Sequence, residues 1–202
     1  VVLAALLALC LALTLCVPAM AEGEPMTASA AALALIEESE GFRAEKYSSG
    51  GKWYIGYGTE CGAEDYPEGI TREEAELLLM SKVEAYEAKL NDFFGRYDVT
   101  PTQGQFDALI CFSYNFGTGW MSGTSDLVKI ARGEKDATRL EVAHAFGEWC
   151  HSGGQAQAGL ADRRLQEAAI YLDDGTRAAE NEFAYLIINM ESGTSYETDF
   201  AV

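Results

Sequence analysis

The apolar residues of this chain recur mostly at the spacing of α-helices. The longest such stretch follows residues 71–74, Thr-Arg-Glu-Glu, a capping-box pattern that marks a helix start. Its apolar positions recur three or four residues apart and so share one helix face: Leu79, Val83, Tyr86 and Leu90. An earlier helix is predicted from an N-cap at Ser29 to about Glu40.

More helices are predicted in the second half of the chain. Thr100, Pro101 and Gln103 have the spacing of a cap, a first helical residue and a capping-box partner, so a helix is expected to begin at Thr100. Residues 106–112 are apolar nearly all round, which is typical of a helix in the middle of a core. Further helices are predicted near 124–132, closed by Gly133, near 137–149, and near 160–172, closed by Gly175.

Residues 46–59 break this pattern by mixing glycines with aromatic residues, which suits short strands and turns. Gly56 and Gly58 are expected to shape the backbone there. The order of a helix, a small β unit and a cluster of helices predicts an α+β fold that is mostly α.

The two ends of the chain have their own composition. Residues 1–21 are uncharged, rich in Leu and Ala, and end in Ala-Met-Ala before polar residues, which predicts a cleaved signal peptide. The alternative is an uncleaved anchor, since about 20 apolar residues can span a bilayer. An initiator Met and a basic start are missing, so we expect the sequence to begin inside a longer precursor. Residues 22–28 are predicted to be a linker, and residues 173–202 an acidic tail or the start of a further segment.

Charge narrows the possible partners. The chain has 32 acidic and 14 basic residues, a net charge of −18. Nucleic acid is therefore not an expected partner, because its phosphates need a basic surface. The simplest interpretation is an exported protein with an acidic, soluble surface.

The cysteines and histidines give no metal-binding pattern. Outside the first segment, Cys61, Cys111 and Cys150 allow one disulfide and one free thiol, and the sequence does not choose the pair. Cys111 lies in an apolar helix and is expected to be a buried thiol. His144 is expected to pack within a helix and His151 to lie in a loop. We expect neither a metal nor an organic cofactor.

Glu40 is the strongest candidate for chemistry. It begins the motif Glu-Gly-Phe-Arg, and residues 53–59, Trp-Tyr-Ile-Gly-Tyr-Gly-Thr, follow shortly after. The segment resembles the active-site region of the phage-type lysozymes, glycoside hydrolase family 24. Three later blocks, within 101–109, 112–117 and 159–167, match that family in order and spacing, so the resemblance covers about 29–172.

The resemblance implies a lysozyme-like fold with a small β unit beside a helical lobe. It also implies a monomeric, exported muramidase that cleaves the β-1,4 bond between N-acetylmuramic acid and N-acetylglucosamine in peptidoglycan. Glu40 would be the general acid that protonates the leaving oxygen. The membrane would be involved only through the N-terminal signal segment.

Two positions depart from the family. After eight intervening residues the family has an Asp or sometimes a Cys, where this chain has Ser49, and before the Ile-Gly-Tyr-Gly turn it has a Thr, where this chain has Tyr54. The general acid is therefore present, while both of its catalytic partners are replaced. Serine is too weakly acidic to supply a negative charge near neutral pH.

Three functions remain open at this point. A muramidase would use Ser49 to hold the attacking water, or Glu45 or Glu60 to replace the missing acid. A lytic transglycosylase would use Glu40 alone, because a hydroxyl of the muramic acid itself attacks the anomeric carbon. A non-catalytic module would keep the cleft and bind peptidoglycan without turnover.

The resemblance also indicates residues near the substrate. Tyr57, Asn115, Arg163 and Arg164 are candidates for substrate binding. Trp53 and Tyr57 either stack on sugars or pack in the fold. One of the two arginines is expected to pair with Glu40 and the other with a surface carboxylate.

The charge of the chain predicts its pH dependence. A surplus of negative charge favours the neutral form of a general acid, so we expect an activity optimum on the acid side of neutral. Added salt screens that charge and is expected to move the optimum. Measuring activity against pH at low and high salt tests this; profiles with no optimum that are the same at both salt concentrations would contradict it.

Overall fold

The structure is a computed structural model that describes residues 24–173. In that range the α-helices are α1 (Ala30–Glu40), α2 (Arg72–Tyr97), α3 (Gln103–Phe116), α4 (Asp126–Ala131), α5 (Arg139–Gly147) and α6 (Ala158–Tyr171), with a 3-10 turn at Gly119–Ser122. The strands are β1 (Arg43–Ser49), β2 (Lys52–Gly56), β3 (Thr59–Cys61), β4 (His151–Ser152) and β5 (Gln155–Ala156). The predicted α+β, mostly α arrangement is confirmed.

Helix α3 is the centre of the core, and α1, α2 and α6 pack against it. Its apolar residues Phe106, Leu109, Ile110 and Phe112 are each 0% exposed. A helix that is apolar on every side is stable only when neighbours cover every side. The prediction that residues 106–112 lie in the middle of the core is confirmed.

Capping side chains decide where the helices begin. The predicted cap at Ser29 accepts a hydrogen bond from the backbone N–H of Ala32, and the capping box at Thr71 is present. The predicted start of α3 at Thr100 is wrong, because Thr102 is the cap and Gln105 completes its box. That pair satisfies two backbone N–H groups reciprocally, so the helix begins after Pro101.

The later elements differ in detail from the predictions. Helices α4 and α5 are shorter than predicted, and α5 begins at a capping box of Thr138 and Glu141. Helix α6 begins two residues earlier than predicted, and Gly175 lies outside the described residues. The β4–β5 hairpin was not predicted, and it places His151 in a two-residue strand instead of a loop.

The small β unit is an antiparallel sheet in the order β1-β2-β3. Tyr47 lies opposite Tyr54, Ser49 opposite Lys52, and Tyr54 opposite Glu60. Residues directly opposite each other share a face of the sheet, as do residues two apart on one strand. We call the side that carries these five residues the open face: Tyr47, Ser49, Lys52, Tyr54 and Glu60. Ile55 points to the other side and is 0% exposed.

The segment predicted as a linker is attached to the domain where the structure describes it. The backbone N–H of Met26 donates to Asn91, and that of Ala28 donates to Glu87, both on α2. Residues 26–28 therefore belong to the folded unit. The predicted signal peptide, residues 22–23 and the tail beyond 173 lie outside the described residues. Within 24–173, no helix is long and apolar enough to cross a membrane.

The allowed disulfide is not formed, since Cys61, Cys111 and Cys150 are all free. Cys111 is the buried thiol that was predicted, and its Sγ lies 3.6 Å from the carbonyl oxygen of Ala32. Burial raises the pKa of this thiol to about 12, so it stays protonated and unreactive near neutral pH.

Helix α3 approaches the end of α6 so closely that only glycine fits at position 104. A Cβ at Gly104 would meet the carbonyl oxygen of Ile170 and lie 2.8 Å from that of Asp173. We expect Gly104→Ala to lower the free energy of unfolding by about 1–3 kcal/mol. Gly95→Ala is the control, because Gly95 lies inside α2 with no atom within 4 Å of the added carbon.

Urea unfolding of the two variants checks this. Gly95→Ala is expected to gain about 0.5–1 kcal/mol, since alanine loses less backbone entropy in a helix. If both variants changed stability by the same amount and sign, the close approach would not be what fixes Gly104.

Candidate active site

Glu40 is the last residue of α1, and its side chain is 21% exposed. Gly41 follows with φ +67°, a left-handed conformation that turns the chain away from the helix and into β1. The Nη1 atom of Arg163 donates to Oε1 of Glu40 at 2.6 Å. The helix end therefore holds the carboxyl group at the surface, and a single arginine fixes its orientation.

The other oxygen of Glu40 lies beside the turn between β2 and β3. A Cβ at Gly58, where φ is +76°, would lie 3.3 Å from Oε2 of Glu40. Glycine thus serves two needs here, the left-handed turn and the close approach of the backbone to the carboxylate. The role predicted for Gly58 as a backbone-shaping residue is consistent with this geometry.

Arg163 is held by a buried carboxylate on its own helix. Its Nε donates to Oε1 of Glu167 at 3.2 Å, and Arg164 approaches Oε2 of the same residue at 2.9 Å. Glu167 and Arg164 are each 0% exposed. Burial raises the pKa of Glu167 to about 7, against the opposing effect of the two guanidinium groups. We call Arg163, Arg164 and Glu167 the buried triad.

The expectation that one arginine pairs with Glu40 is met by Arg163, but the other half is wrong. Arg164 pairs with the buried Glu167 and not with a surface carboxylate, because it points into the core, where its guanidinium lies 4.6 Å from the centre of the Phe112 ring. Being fully buried, Arg164 cannot touch a substrate, so its predicted binding role is replaced by a structural one.

Asn115 extends the site from the end of α3. Its Oδ1 accepts from Nη2 of Arg164 at 3.1 Å, while the residue itself is exposed. Glu40, Asn115 and Arg163 line one cleft of ≈ 690 Å³. The structure therefore brings three of the sequence-predicted site residues together, and the role of Asn115 in substrate binding stays a prediction.

Ser49 and Tyr54 lie together on the open face of the sheet. Ser49 is exposed next to the β1–β2 turn, and the ring of Tyr54 lies 5.7 Å from that of Tyr47. Neither side chain has a hydrogen bond with Glu40 among the described contacts. Position 49 thus offers a hydroxyl to solvent at the place where a carboxylate is absent.

The aromatic residues Trp53 and Tyr57 differ in their exposure to solvent. Tyr57 is 1% exposed, and its hydroxyl accepts from Arg72 at 2.7 Å. Its ring therefore packs in the fold, and the predicted substrate contact gives way to the packing alternative. Trp53 is 40% exposed and keeps one face available.

Lys82 is a partly buried charged residue that sequence analysis did not single out. It lies on α2 with its Nζ 3.9 Å from the centre of the Tyr114 ring. Burial lowers the pKa of Lys82, while the negative charges of Glu40 and Glu60 act to raise it. One lysine among the many charged residues of α2 carries no signal in the sequence, because its contact with Tyr114 depends on the packing of α2 against α3. Within 24–173, no cluster of His, Cys, Asp and Glu is arranged to hold a metal ion.

The comparisons with known proteins agree with this geometry. Residues 37–167 match the phage lysozyme family, and the chain belongs to that family. It is 34% identical to an endolysin of Bacillus phage B103 over 78% of this chain and 58% of that protein. It is 37% identical to an endolysin of Bacillus phage PZA over 72% of this chain and 55% of that protein. The chain thus spans somewhat more than half the length of these curated relatives.

Solved structures share the fold. The endolysin of Escherichia coli O157:H7 phage FAHEc1 is 33% identical, with a TM-score of 0.61 over 73% of this chain and 94% of its own. The muramidase domain of SpmX from Asticaccaulis excentricus is 30% identical, with a TM-score of 0.56 over 71% of this chain and 96% of its own. These likenesses confirm the lysozyme-like fold that the sequence motifs predicted.

The buried triad predicts a pH-dependent contribution to stability. Because the pKa of Glu167 is raised in the folded protein from its ordinary 4.5 to about 7, the folded state binds a proton more tightly than the unfolded state does. The stabilisation from this group is full below about pH 4.5 and is lost as the pH rises through about 7. Relative to Glu167→Gln, wild-type stability is expected to fall across that window by up to about 1.4 kcal/mol per pH unit.

Urea unfolding of both proteins at several pH values measures that difference. Glu148→Gln, at an exposed residue, is the matched control, and its free energy of unfolding is expected to differ from that of wild type by the same amount at every pH. A level difference for Glu167→Gln as well would show that Glu167 has an ordinary pKa in the folded protein.

Proposed function

We propose that this protein hydrolyses the β-1,4 bond between N-acetylmuramic acid and N-acetylglucosamine in peptidoglycan, with Glu40 as the general acid. The observation that carries the proposal is a partly buried carboxyl group on the wall of a cleft, held by an arginine that is itself 8% exposed. A general acid needs this combination of a fixed orientation and access to the leaving oxygen.

The two oxygens of Glu40 have different surroundings that suit proton donation. Oε1 is bound by Arg163, and Oε2 faces the backbone at Gly58. A proton on Oε2 would be directed away from the arginine. Donation to the glycosidic oxygen would break its bond to the anomeric carbon and leave Glu40 as a carboxylate, which Arg163 then stabilises.

Relatives support the class of substrate. The proteins that match along the chain are titled endolysins, and one matching structure is titled a muramidase domain. Because this chain spans only part of the curated relatives, its activity as a whole protein is part of the proposal. From residues 1–21 we further propose that the protein acts outside the cytoplasm, on the cell wall, and has no membrane contact once the signal segment is cleaved. We also propose that it acts as a monomer.

A lytic transglycosylase is the second candidate, and the serine at position 49 favours it. In that reaction Glu40 first protonates the leaving oxygen and then, as a base, takes the proton of a muramic acid hydroxyl. That hydroxyl attacks the anomeric carbon and forms an anhydro sugar. No second carboxylate is required, so Ser49 would be compatible with full activity.

The products distinguish the candidates. We expect the purified protein to release muropeptides with reducing muramic acid ends from peptidoglycan, as measured by mass spectrometry, and Glu40→Gln to release fewer by a factor of at least about 100. Glu68→Gln, which removes an exposed carboxylate in the loop after β3, is the control and is expected to stay active.

Muropeptides with anhydro ends, which are lighter by one water, would show that the protein is a lytic transglycosylase and not a hydrolase. If no muropeptide appeared while the protein still sedimented with purified peptidoglycan, the enzyme proposal would fail and a non-catalytic peptidoglycan-binding module would stand.

A further inference from the structure

Hydrolysis at Glu40 requires a partner that this chain does not have at position 49. Glycosidases that use water usually place a second carboxylate across the sugar from the general acid. Ser49 cannot supply it. Glu167 cannot supply it either, since it is fully buried and bound by two arginines.

Glu60 is an exposed carboxylate on the open face of the sheet. It is directly opposite Tyr54 in the β2–β3 ladder, so its side chain lies on the open face with Tyr54 and Ser49. Both family positions that are substituted in this chain therefore share a surface with a carboxylate. The side chain of Glu60 is 56% exposed, which leaves it accessible to water and substrate.

Glu40 and Glu60 flank the same turn between β2 and β3. The backbone at Gly58 borders Oε2 of Glu40, and Glu60 follows two residues later on β3. In enzymes that invert the anomeric carbon, the two carboxyl groups are about 6.5–9.5 Å apart, which leaves room for an attacking water. Glu60 is thus a carboxylate that the chain brings to the turn beside the general acid.

Positive charge accompanies this pair. Lys82, on α2, is attracted by both Glu40 and Glu60, so it lies within electrostatic reach of each. Lys52, on the open face, binds Oε2 of Glu60 at 2.8 Å. Glu60 is bound by a lysine and exposed to solvent, which suits a carboxylate that acts as a base. Glu40 is held at the end of α1 by Arg163, and its fixed orientation suits a proton donor.

We propose that Glu60 is the second catalytic carboxylate of this protein and acts as the general base from β3. In the step, Glu40 gives its proton to the glycosidic oxygen and the bond from that oxygen to the anomeric carbon breaks. A water oxygen bonds to the anomeric carbon on the opposite side and gives one proton to Glu60. Glu60 then releases that proton to solvent, and Glu40 takes one up. This inference rests on the proposed hydrolysis.

The test compares carboxylate removals in the whole chain on purified peptidoglycan. Glu60→Gln is expected to lower kcat by about 100-fold or more. Glu68→Gln, an exposed carboxylate in the loop after β3, is the matched control and is expected to match wild type. Circular dichroism and the unfolding midpoint establish that Glu60→Gln is folded, and both are expected to match wild type because the lost pair with Lys52 is exposed and contributes little to stability.

A second variant tests the replacement itself. If Glu60 replaces the acid missing at position 49, adding Ser49→Asp to Glu60→Gln is expected to raise kcat at least about 10-fold above that of Glu60→Gln alone. Restoration by a carboxylate on β1, which β2 separates from β3 in the sheet, would not follow from a merely structural loss.

Each outcome has a separate meaning. An active wild type with an equally active Glu60→Gln overturns the role of Glu60 and leaves the proposed function intact. Anhydro products from wild type overturn both hydrolysis and the general base. A wild type as inactive as Glu40→Gln overturns the proposed function, and the role of Glu60 with it. Loss of activity in Glu60→Gln with reducing products from wild type and recovery by Ser49→Asp supports the inference.

Discussion

The site depends on the position of one side chain, Arg163. Its guanidinium donates to Glu40 at the end of α1, to the carbonyl oxygen of Cys111 on α3 and to Glu167 on its own helix α6. A buried charge is costly unless it is paired and hydrogen-bonded, so these partners fix one geometry. Because Glu167 also binds Arg164, the orientation of Glu40 is tied to the packing of three helices.

The other side of the site is built differently. The open face of the β sheet meets solvent, and its residues are not part of the core. A substitution there changes the chemistry without opening a cavity, since little apolar surface is lost. This explains how a chain can keep the family fold and Glu40, the proposed general acid, while Ser49 and Tyr54 depart from the family pattern. The same property makes the proposed takeover by Glu60, on β3, compatible with an unchanged core.

Most of the helices could be predicted, while their boundaries and the smallest strands could not. Helical periodicity marks a long apolar face such as that of α2, but a boundary depends on which of two nearby threonines captures a backbone N–H, as Thr102 does instead of Thr100. The two-residue strands β4 and β5 are too short to show any alternation. For the candidate site, motifs indicated Glu40, Asn115 and Arg163, which the structure places in one cleft.

The sequence by itself determined the family, the helical core around residues 106–112 and the carboxyl group at the end of α1, because these follow from local patterns and ordered motifs. Only the tertiary structure decided which arginine binds Glu40, that Tyr57 and Arg164 are buried, that Lys82 lies against the Tyr114 ring, and that Glu60 shares the open face with Tyr54. Those facts depend on contacts between residues far apart in the chain. Local sequence patterns do not specify such contacts, which arise only when the helices and the sheet pack together.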